Sequence, residues 1–217
     1  MQYTRHHAWS VLLRLFHWCF ALSIVVLVTT GFYIHFPWTN TMIEGSSTFP
    51  VATMRYIHFI AAFVFTGALL ARLFLLLFGN RQERFLDFLP ITPRNIKNLF
   101  ATIKYYLYID NNEDQRLGHN SMAGIVYFVT FIVAGLQIMS GFYMLYPEST
   151  AWQTWGLRLF GTQQQGRLFH YLFMWYFILF AATHVYIVIW NDIRSKEGLI
   201  SSIFNGTKYM PGKPEQN

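Results

Sequence analysis

Four long apolar runs separated by polar segments set the plan of this 217-residue chain. They lie near 11–35, 55–78, 121–146 and 168–191, and each matches the ~20 residues a helix needs to cross a hydrocarbon core. Apolar residues occupy the whole helix circumference rather than one stripe, which predicts membrane spans instead of the amphipathic helices of a soluble core. The first run is too long for a secretory signal and has no small-residue cleavage site behind it, so it is read as a retained helix. The connection 80–120 is the most polar. Past Pro93 it mixes Asn95, Lys97 and Lys104 with Ile96, Leu99, Phe100 and Ile103, which predicts an amphipathic helix near 92–110 lying on the membrane surface; a soluble docking helix is the competing reading. Residues 38–54 and 148–166 read as loops at the other end, the second carrying Trp152, Trp155 and Gln163–Gln165. The tail holds a short helix near Glu197–Phe204. The expected architecture is an all-α, four-transmembrane-helix bundle, a single membrane-integral domain over 1–217.

Composition agrees: 54% of residues are hydrophobic and 12% charged, against ~25% charged in soluble domains. Four spans place both termini and the 80–120 connection on one side. Of the 16 Lys and Arg residues, all but Arg55, Arg158 and Arg167 fall there, so the positive-inside rule predicts cytoplasmic termini and a multi-pass protein of a bacterial or archaeal cytoplasmic membrane. The net charge of +6 then needs only topology and anionic lipid, not nucleic acid. A single cysteine, Cys19, excludes an internal disulfide, a thiolate zinc site, an iron–sulfur cluster or covalent haem attachment within the chain. Gly-rich nucleotide loops and hydrolase nucleophile motifs are missing too.

The chemistry sits in the histidines. His170 and His184 occur fourteen positions apart in the last apolar run, which puts them within ~40° of one helix face and ~21 Å apart in depth. His58 opens the second run at the depth of His170; His17 opens the first at the depth of His184. Ionisable groups inside spans usually face a protein interior and are functional candidates. Two pairs at two depths suit two haems with two axial imidazoles each, an arrangement without an open coordination position and so suited to electron transfer. Zinc sites need three or four ligands at one depth. Arg14, Arg55 and Arg167 each precede a histidine by three residues, and Arg194 lies beyond His184; these are candidate partners of haem propionates through bidentate hydrogen bonds, or else ordinary helix-end charges. His35 is the alternative to His58, and a surface position beside Pro37 is preferred for it. A weak internal repeat links the halves: Gly31-Phe-Tyr and Gly141-Phe-Tyr close the first and third runs, while Arg55-x-x-His58 and Arg167-x-x-His170 open the second and fourth. That repetition favours paired helical hairpins in a four-helix bundle.

These motifs also carry a family likeness. Arg14-Leu-Phe-His17-Trp18, Tyr56-Ile-His58-Phe, Phe78-Gly-Asn-Arg81, Gly118-His-Asn120, His170-x-x-x-Met174-Trp175, His184-Val-Tyr186 and Asn205-Gly206 resemble the b-type cytochrome subunits of membrane-bound nickel–iron hydrogenases, within a wider family that includes formate dehydrogenase gamma subunits. The resemblance implies a membrane anchor that takes electrons from a periplasmic iron–sulfur subunit, itself bound to a large nickel–iron subunit, and passes them through haem b to quinone. It implies His58 with His170 at an outer haem and His17 with His184 at an inner one. It also implies a quinone site at Asn120, beside His119; the competing role for Asn120 is to cap the third helix. On this reading the chain is an electron-transfer subunit of an oxidoreductase rather than the hydrogen-activating one. Alternatives are the same fold serving formate dehydrogenase or another dehydrogenase or reductase, and, in a different class, a haem-free anchor or small transporter.

Overall fold

The computed structural model describes residues 3–38, 49–110, 117–195 and 197–211. In chain order these form strand β1 (Tyr3–His7), helices α1 (Val11–His35), α2 (Pro50–Phe78), α3 (Phe85–Phe88), α4 (Pro93–Tyr106), α5 (Ser121–Leu145), α6 (Thr150–Phe160), α7 (Gln163–Ser195) and α8 (Leu199–Asn205), and strand β2 (Thr207–Pro211). Four helices, α1, α2, α5 and α7, are long and apolar enough to cross a membrane, as the hydrophobic pattern predicts. Leu22, Leu70, Leu77 and Leu179 project outward from them, and so large an exposed apolar surface suits a lipid solvent. At 33 residues, α7 is ~50 Å long and exceeds the hydrocarbon thickness.

The boundaries differ from expectation where local chemistry extends a helix. Pro50 starts α2 five residues before Arg55, a first-turn position at which proline loses no helical hydrogen bond. The glutamines expected in a loop form the first turn of α7. There Thr162 N donates to Gln165 Oε1 at 2.8 Å and Gln165 N to Thr162 Oγ1 at 3.3 Å, a capping box. Helix α6 fills most of the remaining loop. Part of the first predicted loop, 39–48, and the basic residues Arg116, Lys196 and Lys213 lie outside the described residues.

One correction concerns the all-α expectation: β1 and β2 pair antiparallel, from Tyr3 opposite Pro211 to His7 opposite Thr207. His6 and His7 are exposed strand residues. The second strand is aimed by Gly206, at φ 82°, whose carbonyl accepts from Ala8 N at 2.8 Å and Trp9 N at 3.1 Å. A Cβ at Gly206 would sit 2.7 Å from Trp9 O.

Two compact units divide the chain, and their boundary falls within each of the four long helices. One unit comprises 1–15, 71–132 and 180–217. Here Arg72 is buried: its Nη1 donates to Glu83 O at 2.9 Å and its guanidinium lies over Phe131. The Glu83 carboxylate, fully buried, accepts Ser10 N at 2.8 Å and Asn80 N at 3.0 Å. Lys208 and Glu197 form a buried ion pair at 2.7 Å. Helix α4 turns its uncharged polar residues inward and leaves Arg94, Lys97 and Lys104 exposed: Asn95 donates to the carbonyls of Leu86, Asp87 and Leu89, and Asn98 Oδ1 accepts Ser121 N at 2.8 Å. Its apolar Ile96 and Phe100 face out.

The other unit comprises 16–70 and 133–179. Phe20, Phe65 and Phe177 form a buried aromatic cluster there, with Phe20 stacked on Phe65 at 4.4 Å. Tyr143, fully buried, anchors α6 and the start of α7: its hydroxyl donates to Gly161 O at 2.9 Å, and its carbonyl accepts from Gln153 at 3.1 Å and Gln163 at 3.2 Å.

Candidate haem site

His58 and His170 come from α2 and α7 and face each other, with ring centroids 6.4 Å apart and planes inclined by 54°. Each ring is held on its Nδ1 side by a hydroxyl from another helix. Thr30 Oγ1 of α1 lies 2.8 Å from His58 Nδ1, and Ser140 Oγ of α5 lies 2.9 Å from His170 Nδ1. A glycine follows each hydroxyl residue. A Cβ on Gly31 would meet His58 Cε1 at 3.6 Å, and one on Gly141 would meet His170 Cε1 at 3.3 Å, so the missing side chains let the imidazoles lie against the neighbouring backbone. The internal repeat therefore builds the two halves of one site. It also extends further: Phe65 and Phe177 each lie seven residues, two helical turns, beyond His58 and His170.

This arrangement fits an iron porphyrin with two axial imidazoles. Two metal–nitrogen bonds of about 2 Å on opposite sides of one metal put opposed imidazole centroids about 6 Å apart. Metal-bound histidines characteristically donate their second ring N–H to an oxygen acceptor, and both rings have such an acceptor on Nδ1. Gln137 Nε2 lies 3.1 Å from His170 Nε2, a neutral contact that a metal–nitrogen bond would replace. Among the described residues no three His, Cys, Asp or Glu side chains converge, so His58 and His170 meet as a pair.

The remaining predicted residues are distributed as follows. His17 belongs to the same unit as His58 and makes an edge contact with Trp18 at 5.2 Å. In the other unit, His184 stacks on Phe180 at 5.6 Å, with its Nδ1 3.4 Å from the Tyr127 hydroxyl. Tyr127 also meets His119 edge-on at 5.1 Å, and Trp9 packs on His119 from 4.7 Å. Asn120 Oδ1 accepts Ala123 N at 2.7 Å and so caps α5. Arg14 donates to the Phe204 carbonyl, and Arg194 lies over the rings of Tyr105 and Trp190. Arg55 and Arg167 are exposed. His35 is exposed and stacks on Tyr171 at 4.9 Å. Sequence reasoning missed Thr30, Ser140, Gln137 and Tyr127. The signal for the first two was a hydroxyl residue directly before the repeated glycine in both halves.

Comparison with known proteins bears on what such a site serves. A family model described as prokaryotic cytochrome b561 matches residues 8–206. The chain is 31% identical over 211 residues to an Azotobacter vinelandii protein named "Probable Ni/Fe-hydrogenase B-type cytochrome subunit", covering 94% of this chain and 88% of that one. A protein of the same name from Cupriavidus necator is 32% identical over 202 residues, covering 89% and 82%. The "Probable Ni/Fe-hydrogenase 1 B-type cytochrome subunit" of Escherichia coli K12 is 29% identical, covering 93% and 89%. Four membrane-length helices, the paired histidines and a match over nearly the whole length lead to one conclusion: the chain belongs to the prokaryotic cytochrome b561 family.

Proposed function

We propose that this chain is the haem b subunit and membrane anchor of a nickel–iron hydrogenase, carrying electrons from the complex's iron–sulfur subunit to quinone. The observation that carries this reading is the opposition of His58 and His170 at 6.4 Å, each braced on its far nitrogen. Haem b bound between them supplies one-electron transfer without an open coordination position. His58 and His170 hold the outer haem, and His17 and His184 hold the inner one. Arg55 and Arg167, one turn before the outer ligands, are the propionate partners on that side, with Arg14 and Arg194 serving the inner haem.

On this reading the quinone binds near His119, Asn120 and Tyr127. The cap on α5 uses the Asn120 oxygen and leaves its amide N–H groups free to donate to a quinone carbonyl. Tyr127 lies between the rings of His119 and His184, a position from which His119 can pass a proton from the inner side. The antiparallel pairing of β1 with β2 supports both termini on one face, and the excess of Lys and Arg there supports a cytoplasmic one. Iron–sulfur electrons then enter from the periplasm.

Purification of the intact complex in mild detergent tests this proposal. A b-type reduced-minus-oxidised spectrum, with nickel in the co-purifying partner, is the expected result. Molybdenum or tungsten in the partner moves the chain to a formate dehydrogenase, and the absence of b-type bands overturns the haem reading altogether.

A further inference from the structure

A hydroxyl group has one hydrogen to donate and two lone pairs, and that count fixes the direction of the bonds around the histidine pair. Thr30 Oγ1 lies 2.6 Å from Val26 O, and Ser140 Oγ lies 2.9 Å from Gln137 O. A carbonyl oxygen only accepts, so each hydroxyl gives its one hydrogen to its own helix. The contacts of 2.8 Å to His58 Nδ1 and 2.9 Å to His170 Nδ1 therefore run the other way, with imidazole N–H donating to hydroxyl oxygen. Gln137 agrees independently: its amide nitrogen, a donor, meets His170 Nε2, which must then be the ring's accepting atom.

We infer that Thr30 and Ser140 are paired positioning residues for the haem, each anchoring the Nδ1–H of one ligand so that both imidazoles present the Nε2 lone pair to the iron. The inference rests on the ligand assignment made above and adds what orients the ligands. The back-bond to Val26 O or Gln137 O matters as much as the bond to the ring, because it leaves the hydroxyl only as an acceptor. Glycine at 31 and 141 completes the device by letting each ring's Cε1 edge lie against the same helix that supplies the hydroxyl. Anchoring the second nitrogen also raises the basicity of the ligand; a more basic imidazole favours ferric iron and holds the potential of that haem down.

The test uses the full complex in detergent, with Thr30→Val, Ser140→Ala and the conservative exchanges Thr30→Ser and Ser140→Thr. Valine matches threonine in volume and alanine removes one oxygen; if one of these variants fails to assemble, the other carries the same test from the opposite ligand. Two quantities are read: the rate of haem transfer to excess apomyoglobin, and the midpoint potential of each b-type component. Loss of either hydroxyl is expected to accelerate release of one haem by about tenfold or more and to shift its potential positive, while the serine and threonine exchanges restore both. Wild-type release rate and potential in Thr30→Val and Ser140→Ala, with His58→Ala and His170→Ala still removing that haem, overturn the inference and leave the ligand assignment standing. Retention of that haem in both histidine variants overturns the assignment itself.

Discussion

At the scale of single residues, the site depends on small side chains as much as on its histidines. Ordinary van der Waals contact separates a Cβ at Gly31 from His58, at 3.6 Å, whereas the 3.3 Å at Gly141 is already tight against His170. Gly31→Ala is therefore expected to keep its full haem complement. Gly141→Val adds two further methyl groups against the ring and is expected to lose one haem per chain while retaining helix content, a contrast read by pyridine haemochrome assay beside circular dichroism. Equal haem content in the two variants would contradict the packing argument. The histidines themselves were legible in the sequence, because ionisable groups stand out within apolar runs. Thr30 and Ser140 were not, since hydroxyl residues commonly bond back to their own helix and only coordinates show a second partner. The burial of Arg72 against Glu83 O and Phe131 was not legible either, because an arginine near the end of a span shows its side of the membrane in the sequence but not its partners.

At the scale of elements, the four spans could be read from hydrophobicity, but the β1–β2 sheet could not. Tyr3–His7 is exposed along its length and so has no buried face to impose an alternating pattern. The sheet is held instead by its own ladder and by the bonds of Ala8 N and Trp9 N to Gly206 O, while the buried Lys208–Glu197 pair ties β2 to the segment before α8. Glu197→Ala removes the carboxylate 2.7 Å from the buried Lys208 ammonium and is expected to destabilise this part of the molecule by about 3–5 kcal/mol, while adding Lys208→Met should recover most of that loss. Thermal unfolding in detergent measures both, and an additive loss in the double variant would contradict the pairing. Helix α4 was expected from its amphipathic pattern. With Asn95 and Asn98 spent on internal hydrogen bonds, Ile96 and Phe100 are left facing out, which favours the lipid surface over a soluble partner. A nitroxide at Phe100 is expected to collide more often with oxygen than with an aqueous relaxing agent, and one at Arg94 to show the reverse. Aqueous exposure at both positions would place α4 away from the bilayer.

For the whole molecule, the central claim is that α2 and α7 together grip one iron through His58 and His170. Sidedness is a separate question. In a Cys19→Ser background, cysteines at Tyr3 and Tyr209 are expected to react with an impermeant thiol reagent only when the cytoplasmic face is open, and one at Trp155 only from the opposite face; labelling of Tyr3 and Trp155 from the same side would contradict the topology. The most direct measurement of the central claim is an optical redox titration of native membranes carrying His58→Ala or His170→Ala. The account predicts that both variants lose the same single b-type component and keep the remainder unchanged. Full retention in either variant, or loss of different components in the two, would contradict it.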